Sequence, residues 1–230
     1  MIRHLAAIMD GNRRWASKNK FSLAAGYSHG GKRALQEVIR FCLEKGIIYL
    51  SVYTFSLENF YRSEEERNIL FSALLQEVVA QREELIKNSI SIRFVGKLEL
   101  LPQNVWRACN DLEQATAQGK DLHVALLICY GGQQEILAAV KKVALEGNIT
   151  HDFSDEDVKK TFEKSLWNYP FPAPDLIIRT GGMKRLSNFL SYQSVYSELV
   201  FLDVLWPEIT KQDCQYAYEV FQATQRNFGR

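Results

Sequence analysis

No run of about eighteen apolar residues occurs anywhere in the 230 residues, so a membrane-spanning helix is not expected. The opening MIRHLAAIMDGN meets an acid too early to read as a secretory signal, and a soluble cytoplasmic protein is the expectation. Cysteine is scarce: Cys42, Cys109, Cys129 and Cys214 stand far apart without a C-x-x-C pair, which excludes a zinc ribbon or redox dithiol and fits reduced thiols. An excess of charge of either sign is missing too, with 28 Lys and Arg against 27 Asp and Glu. Nucleic acid, which demands a basic surplus, is therefore not expected as a partner, and any anion site has to be local. No internal repeat, low-complexity tract or composition break marks a domain boundary. What is abundant is apolar side chain, 47% of the chain, ample for one continuous core, so residues 1–230 read as a single domain.

Short apolar or β-branched runs at residues 5–9, 48–55, 90–95, 122–128, 176–178 and 199–202 have the length of buried strands. Between them the apolar spacing becomes helical, with Leu35, Val38, Ile39 and Leu43 inside 31–45, and Ile69, Leu70, Leu74, Val78 and Leu85 inside 64–87. Further helices are expected over 102–117, 133–146, 154–166 and 211–226. The YPFPAP segment at 169–174 leads straight into the next run and reads as a rigid connection. Strands alternating with helices predict an α/β fold, a single domain with a mainly parallel sheet of about six strands flanked by helices. In such open sheets ligands bind beyond the carboxyl ends of the strands, which directs attention to the residues following each run.

After the first run comes Asp10-Gly11-Asn12-Arg13-Arg14-Trp15. As a plain turn, Asp10 or Asn12 caps the next helix. As an anion site, Gly11 lets the backbone approach a ligand, the first N–H groups of the helix meet phosphate oxygens, and Arg13 and Arg14 add charge. Asp10 would repel a naked phosphate and makes sense there as a ligand for a hard cation such as Mg²⁺. After the second run, Ser56-Leu57-Glu58-Asn59-Phe60-Tyr61-Arg62 reads either as a capped loop or as a polar cluster over a reacting centre. In the second reading Ser56 and Asn59 offer hydrogen bonds, Phe60 an apolar wall and Arg62 a cation. The paired glycines of Cys129-Tyr130-Gly131-Gly132 allow a tight turn or a close backbone approach to a ligand. After the fifth run, residues 179–189 gather Arg179, Lys184 and Arg185 with Gly181 and Gly182, and Ser187 and Asn188 add donors. Arg179 adjoins the buried run, where an unpaired charge is costly, and that favours a bound anion. Glu198 downstream is either a partner for one of these arginines or a second metal ligand.

In this order the pieces resemble the cis-prenyltransferase (Z-isoprenyl diphosphate synthase) family, the undecaprenyl diphosphate synthases of bacteria most of all. The resemblance covers essentially the whole chain: HLAAIMDGNRRWA, GYSHGGK at 26–32, FSLENFYR at 55–62, YGG at 130–132, DLIIRTGGMKRLSNFLSYQSVYSELVF at 175–201, VLWPEI at 204–209 and the RNFG ending. The D-D-x-x-D motif of the all-helical trans-prenyl synthases is missing. The resemblance implies a homodimer that condenses farnesyl diphosphate with successive isopentenyl diphosphates in the presence of Mg²⁺, each new double bond cis. Its product would be undecaprenyl diphosphate, precursor of the lipid carrier for cell-wall polysaccharide. It assigns Asp10 and Asn59 to catalysis and Asp10 and Glu198 to the metal. Substrates fall to Gly11, Asn12, Arg13, Arg14, Trp15, Lys20, Tyr27, Ser56, Leu57, Glu58, Phe60, Arg62, Arg179, Arg185, Leu186 and Ser187. The growing chain needs an apolar tunnel, for which Leu35, Ile39, Leu43, Leu70, Leu74 and Val78 are candidates. Burial at about 0.8 kcal/mol per CH₂ holds a long product tightly, so transient contact with the inner membrane face is expected at release. The sequence departs from the family pattern at Arg13 (commonly Gly), Tyr27 (His), Phe60 (Trp) and Met183 (an acid), and Lys20 stands near a missing arginine.

Overall fold

The computed structural model describes residues 1–146 and 153–224. The end of the expected 211–226 helix and the RNFG ending lie outside these residues. The chain opens with β1 (His4–Ile8), α1 (Asn12–Lys18), α2 (Leu23–His29), a π-helical turn (Gly30–Ala34) and α3 (Leu35–Lys45). β2 (Tyr49–Ser56), a 3-10 turn (Leu57–Tyr61), α4 (Glu64–Ala80), α5 (Arg82–Lys87), β3 (Ile90–Val95) and α6 (Gln103–Thr116) follow. The remainder comprises β4 (Leu122–Tyr130), α7 (Gly132–Glu146), α8 (Asp155–Ser165), β5 (Leu176–Arg179), β6 (Glu198–Phe201) and α9 (Lys211–Ala223).

The six strands form one parallel sheet in the order β3-β4-β2-β1-β5-β6. Both faces are covered at the sheet's centre, which is why β1, β4 and β5 are nearly continuous apolar runs, whereas the edge strand β3 alternates Ile90-Ser91-Ile92-Arg93. Along β1, Leu5 and Ala7 enter the larger core with α3, α4, α6 and α9, whereas Ala6 and Ile8 enter the smaller one with Tyr53, Tyr130, Phe189 and Leu190. β4 is buried at every residue but His123. Each such Leu or Ile contributes ~1.5–3 kcal/mol, so a charge placed at Leu50 or Val124, both fully buried, would break the sheet's centre. The chain runs from β1 out to β2, β3 and β4 on one side and returns to β5 and β6 on the other. The crevice at this reversal opens at the carboxyl ends of β1, β2 and β5.

Three helical details differ from the sequence expectation. α2 occupies a stretch before residue 31 for which no helix was expected. The glycine there serves packing: a Cβ on Gly26 would stand 2.9 Å from Ala16 Cβ and 3.0 Å from the Asn12 carbonyl, so its absence lets α2 lie directly on α1. Ser22 starts the helix by accepting from Ala25 N at 3.2 Å. The expected 31–45 helix begins as a π turn and becomes α-helical only at Leu35. The expected 64–87 helix breaks at Gln81 into α4 and α5. The 169–174 connection, with a cis Tyr169–Pro170 peptide, leads directly to β5. The four cysteines are buried free thiols.

Candidate active site

Asp10 stands just beyond β1, and the parallel register sets Arg179, the last residue of β5, beside Ile8. That adjacency brings Arg179 Nη2 to 2.9 Å from Asp10 Oδ2, while Arg14, one helical turn along, places Nη2 3.2 Å from Oδ1. Arg179 is buried, as its position on a central strand dictates, and it also donates from Nη1 to Ser187 Oγ at 2.9 Å and to the Arg185 carbonyl. Its Nε–H is buried without a partner. Thr180 locks the two strand ends together, donating to the Asp10 carbonyl at 2.7 Å and accepting from Asp10 N at 3.1 Å. Gly11 has φ +112°, a conformation that side chains avoid, and a Cβ there would meet Leu205 at 2.9 Å. At Gly181, with φ +83°, a Cβ would collide with the Arg14 guanidinium. Gly181 therefore leaves room for Arg14 to reach Asp10, and Gly11 lets the end of β1 pack against Leu205.

A second cluster lies across the mouth. Glu66, in the first turn of α4, accepts from Arg62 Nη1 at 2.8 Å and from Tyr27 Oη at 3.0 Å, and Arg13 approaches it at 3.6 Å. Arg62 also donates to Tyr27 Oη at 2.9 Å. Burial pushes the Tyr27 phenol up to about 12, outweighing the Arg62 guanidinium that lowers it and helped by the Glu66 carboxylate, so it remains protonated as a donor. Ser56 and Asn59 form a reciprocal capping box on the 3-10 turn, the Asn59 Oδ1 accepting from Ser56 N at 3.1 Å. The amide of Asn59 is thereby fixed and its NH₂ remains as a donor at the cavity. Asn188, with φ +65°, ties the 180–190 loop to Glu58 at 2.8 Å and to Gln134 at 3.0 Å.

These groups surround the mouth of a cavity of about 1280 Å³, which exceeds the ~300–1,000 Å³ typical of drug-sized ligands. Asp10, Gly11, Asn12, Arg13, Arg14, Tyr27, Ser56, Glu58, Asn59, Arg62, Arg179, Arg185 and Ser187 all line it. Leu35, Ile39, Leu70, Leu74 and Val78 line its interior, as the tunnel expectation required, but Leu43 packs into the core instead. Six further expected residues are placed elsewhere. Trp15 is buried between Phe21 and His29, at ring separations of 5.4 and 4.7 Å. Lys20 sits in the turn between α1 and α2 and does not line the cavity. Leu57 and Phe60 pack on the larger core and Leu186 on the smaller, because each is the apolar member of a loop whose polar members face outward. Glu198 opens β6 at the amino end, level with Leu176 and Leu5, so one chain does not bring it to Asp10.

Two residues of the mouth escaped the sequence reading. Glu66 carried a signal, an acid four residues after Arg62 at a helix start. Tyr53, mid-strand in an apolar run, carried none; it donates to the Tyr130 carbonyl at 3.3 Å and lines the cavity. Among the described residues lining the cavity there is no histidine and no cysteine, so neither a neutral-pH base nor a thiol nucleophile is at hand. The arrangement instead offers converging cations at one end and apolar walls at the other. It can receive an anionic head on an apolar tail. Among the described residues no group of three His, Cys, Asp or Glu forms a metal cage. A single carboxylate beside anion-binding arginines does fit Mg²⁺, which keeps its waters and takes most ligands from substrate phosphate.

Comparison with known proteins agrees with this geometry. The family model described as undecaprenyl diphosphate synthase matches residues 8–229. A tritrans,polycis-undecaprenyl-diphosphate synthase (geranylgeranyl-diphosphate specific) of Methanopyrus kandleri is 40% identical, covering 99% of this chain and 84% of the relative. Its counterpart in Thermococcus kodakarensis is 41% identical, covering 99% and 87%. Among solved structures, lavandulyl diphosphate synthase from Lavandula x intermedia, in complex with dimethylallyl diphosphate, superposes with a TM-score of 0.93 at 30% identity, covering 100% of this chain and 98% of that one. A probable undecaprenyl diphosphate synthase from Campylobacter jejuni gives a TM-score of 0.83 at 31% identity, covering 100% and 99%.

Proposed function

The chain belongs to the undecaprenyl diphosphate synthase family of cis-prenyltransferases, and on that premise we propose that it extends an allylic diphosphate with isopentenyl diphosphate to a cis-polyprenyl diphosphate of undecaprenyl class, a carrier-lipid precursor. One observation carries the reading: the cation-lined mouth joins directly onto a deep apolar cavity, so diphosphate and prenyl tail each meet a wall of matching chemistry. For the primer, the sequence resemblance pointed to farnesyl diphosphate. The names of the archaeal relatives favour geranylgeranyl diphosphate, and we propose the latter as the preferred primer.

The reaction breaks the C1–O bond of the allylic diphosphate, the electron pair leaving with diphosphate. A carbon–carbon bond forms to isopentenyl diphosphate, and a proton is lost. Arg14, Arg13 and the Gly11 backbone hold the allylic diphosphate and stabilise its growing charge, an effect that is largest in a water-poor site. Arg179, Arg185 and Ser187 hold the isopentenyl diphosphate opposite. Mg²⁺, when bound through Asp10, supplies additional neutralisation of the leaving group. Asn59 is a positioning group, since an amide is a poor base; the proton passes to diphosphate or water. Tyr27 and Arg62, ordered by Glu66, close the side of the mouth.

No helix among the described residues is long and apolar enough to cross a membrane. Release of a long apolar product is nonetheless assigned to transient contact with a membrane surface. Exposed Leu137, Val140 and Leu145 on α7, with Leu199 on the edge strand β6, support a homodimer. The decisive assay supplies purified protein with Mg²⁺, labelled isopentenyl diphosphate and either primer. Extended cis-prenyl products are expected, with geranylgeranyl diphosphate giving the higher kcat/KM. No extension from either primer would refute the activity, and a preference for farnesyl diphosphate would refute the primer assignment.

A further inference from the structure

On the wall formed by α3, α4 and α5, the apolar lining of the cavity is interrupted by three polar side chains, Gln36, Glu77 and Gln81. They are joined to one another. Gln36 Nε2 donates to Gln81 Oε1 at 2.9 Å and to Glu84 at 3.1 Å; Gln81 Nε2 donates to Glu77 at 3.3 Å; Ser28 Oγ donates to Glu77 at 3.2 Å. The chain of bonds crosses the gap between the α2–α3 arm and the α4–α5 arm. It does so on either side of the π turn that separates Ser28 from Gln36, and at the break at Gln81. The arms also come close here, since a Cβ on Gly31 would stand 3.3 Å from Glu77 Cγ.

Such a seam is a selective barrier. An apolar tail sliding out between the arms would strip the two amides and the carboxylate of their partners and bury them unpaired. The path past Leu85 toward Ile92 and Leu112 offers apolar contacts alone. We propose that Gln36, Gln81 and Glu77 determine product length: the seam closes the flank of the cavity, turns the growing tail inward and so limits elongation to the enclosed space. The inference rests on the prenyl-elongation reading given above and adds the residues that bound it.

The test uses the full chain carrying Gln36→Leu and Gln81→Leu, assayed with Mg²⁺, geranylgeranyl diphosphate and isopentenyl diphosphate. Product lengths are read by mass spectrometry, the first condensation by single turnover, and folding by thermal melting. The most abundant product should lengthen by one isoprene unit or more, with the first condensation within about twofold of the unaltered chain, because the diphosphate groups at the mouth are untouched. An unchanged or shorter distribution at an equal first-condensation rate would overturn the proposal. Should the double variant fail to fold, Gln81→Leu alone, which keeps the Gln36–Glu84 bond, is read by the same criterion. Absence of any condensation by the unaltered chain would overturn the underlying activity and this proposal with it.

Discussion

Asp10 binds two guanidinium groups at once, and this dual pairing changes how its role has to be tested. Its partner Arg179 is only 5% exposed, so removing the carboxylate leaves a buried cation short of an acceptor. Breaking a fully buried pair costs ~3–5 kcal/mol; the Asp10 side chain is 28% exposed, so ~1–3 kcal/mol is the expectation for Asp10→Ala. An alanine variant would therefore confuse lost chemistry with lost stability. Asp10→Asn keeps a carbonyl oxygen for Arg179 and removes the charge. Single-turnover extension should fall ~10²-fold or more with a small change in melting temperature, and near-normal turnover would remove Asp10 from charge and metal duty. The pairing was legible in part. Asp10 and Arg179 each follow an apolar run in the sequence, and the parallel register brings such residues together. Glu198 opens its strand instead of closing it, and at the amino end of a parallel sheet it does not reach the same crevice within one chain.

Among the elements, the α1–α2 corner shows how a site residue is held by a neighbour with no side chain at all. Asn12 donates from Nδ2 to the Met9 carbonyl at 3.1 Å, and its Oδ1 is buried against Gly30. A Cβ on Gly30 would collide with that oxygen and stand 2.9 Å from Trp206 Cδ1, whose ring donates from Nε1 to the Gly30 carbonyl at 2.9 Å. Gly30→Ala should therefore cost ~1–3 kcal/mol and displace Asn12, lowering both the melting temperature and the affinity for the allylic diphosphate. Calorimetry and KM for the primer check the two effects, and an alanine variant with unaltered melting would show that the corner has room to spare. The six strands and most helices were legible because apolar periodicity is a local property. α2 was not, since Gly26 and Gly30 have the composition of a loop and their reason for being glycine lies in α1 and Trp206. The break at Gln81 was hidden too, as nothing in the 77–85 stretch interrupts the helical spacing.

Across the whole molecule, the amino ends of the strands carry a polar knot that governs acid stability separately from the chemistry at the carboxyl ends. His4 is fully buried on β1, with Nδ1–H donating to the Pro172 carbonyl at 2.6 Å and Nε2 accepting from the Ser51 hydroxyl at 2.9 Å. Asn168 reaches the same hydroxyl at 3.5 Å, and Asp175 accepts from the backbone N–H of Arg3 and His4. One histidine thus joins β1, β2 and the 169–174 connection in its neutral form. Burial depresses its pKa from 6.5 to about 4, outweighing the Pro172 carbonyl bond and the nearby Asp175 carboxylate, which raise it. Above pH 6.5 the ring is neutral in folded and unfolded chains alike and stability is unaffected. Between pH 6.5 and 4 the unfolded chain takes up a proton that the folded chain refuses, so acidification favours unfolding. The loss amounts to ~3 kcal/mol by pH 4, at ~1.4 kcal/mol per pKa unit. At ~2–4 °C per kcal/mol for a chain of this size, melting should fall ~6–12 °C over the window from this group. His4→Gln should melt lower at pH 7, having lost a ring that packs near Tyr49 and Phe171, yet show a shallower decline toward pH 4. If the two proteins lost stability in parallel across that window, the acid sensitivity would have to reside in the carboxylates, and His4 would hold the sheet together without sensing pH.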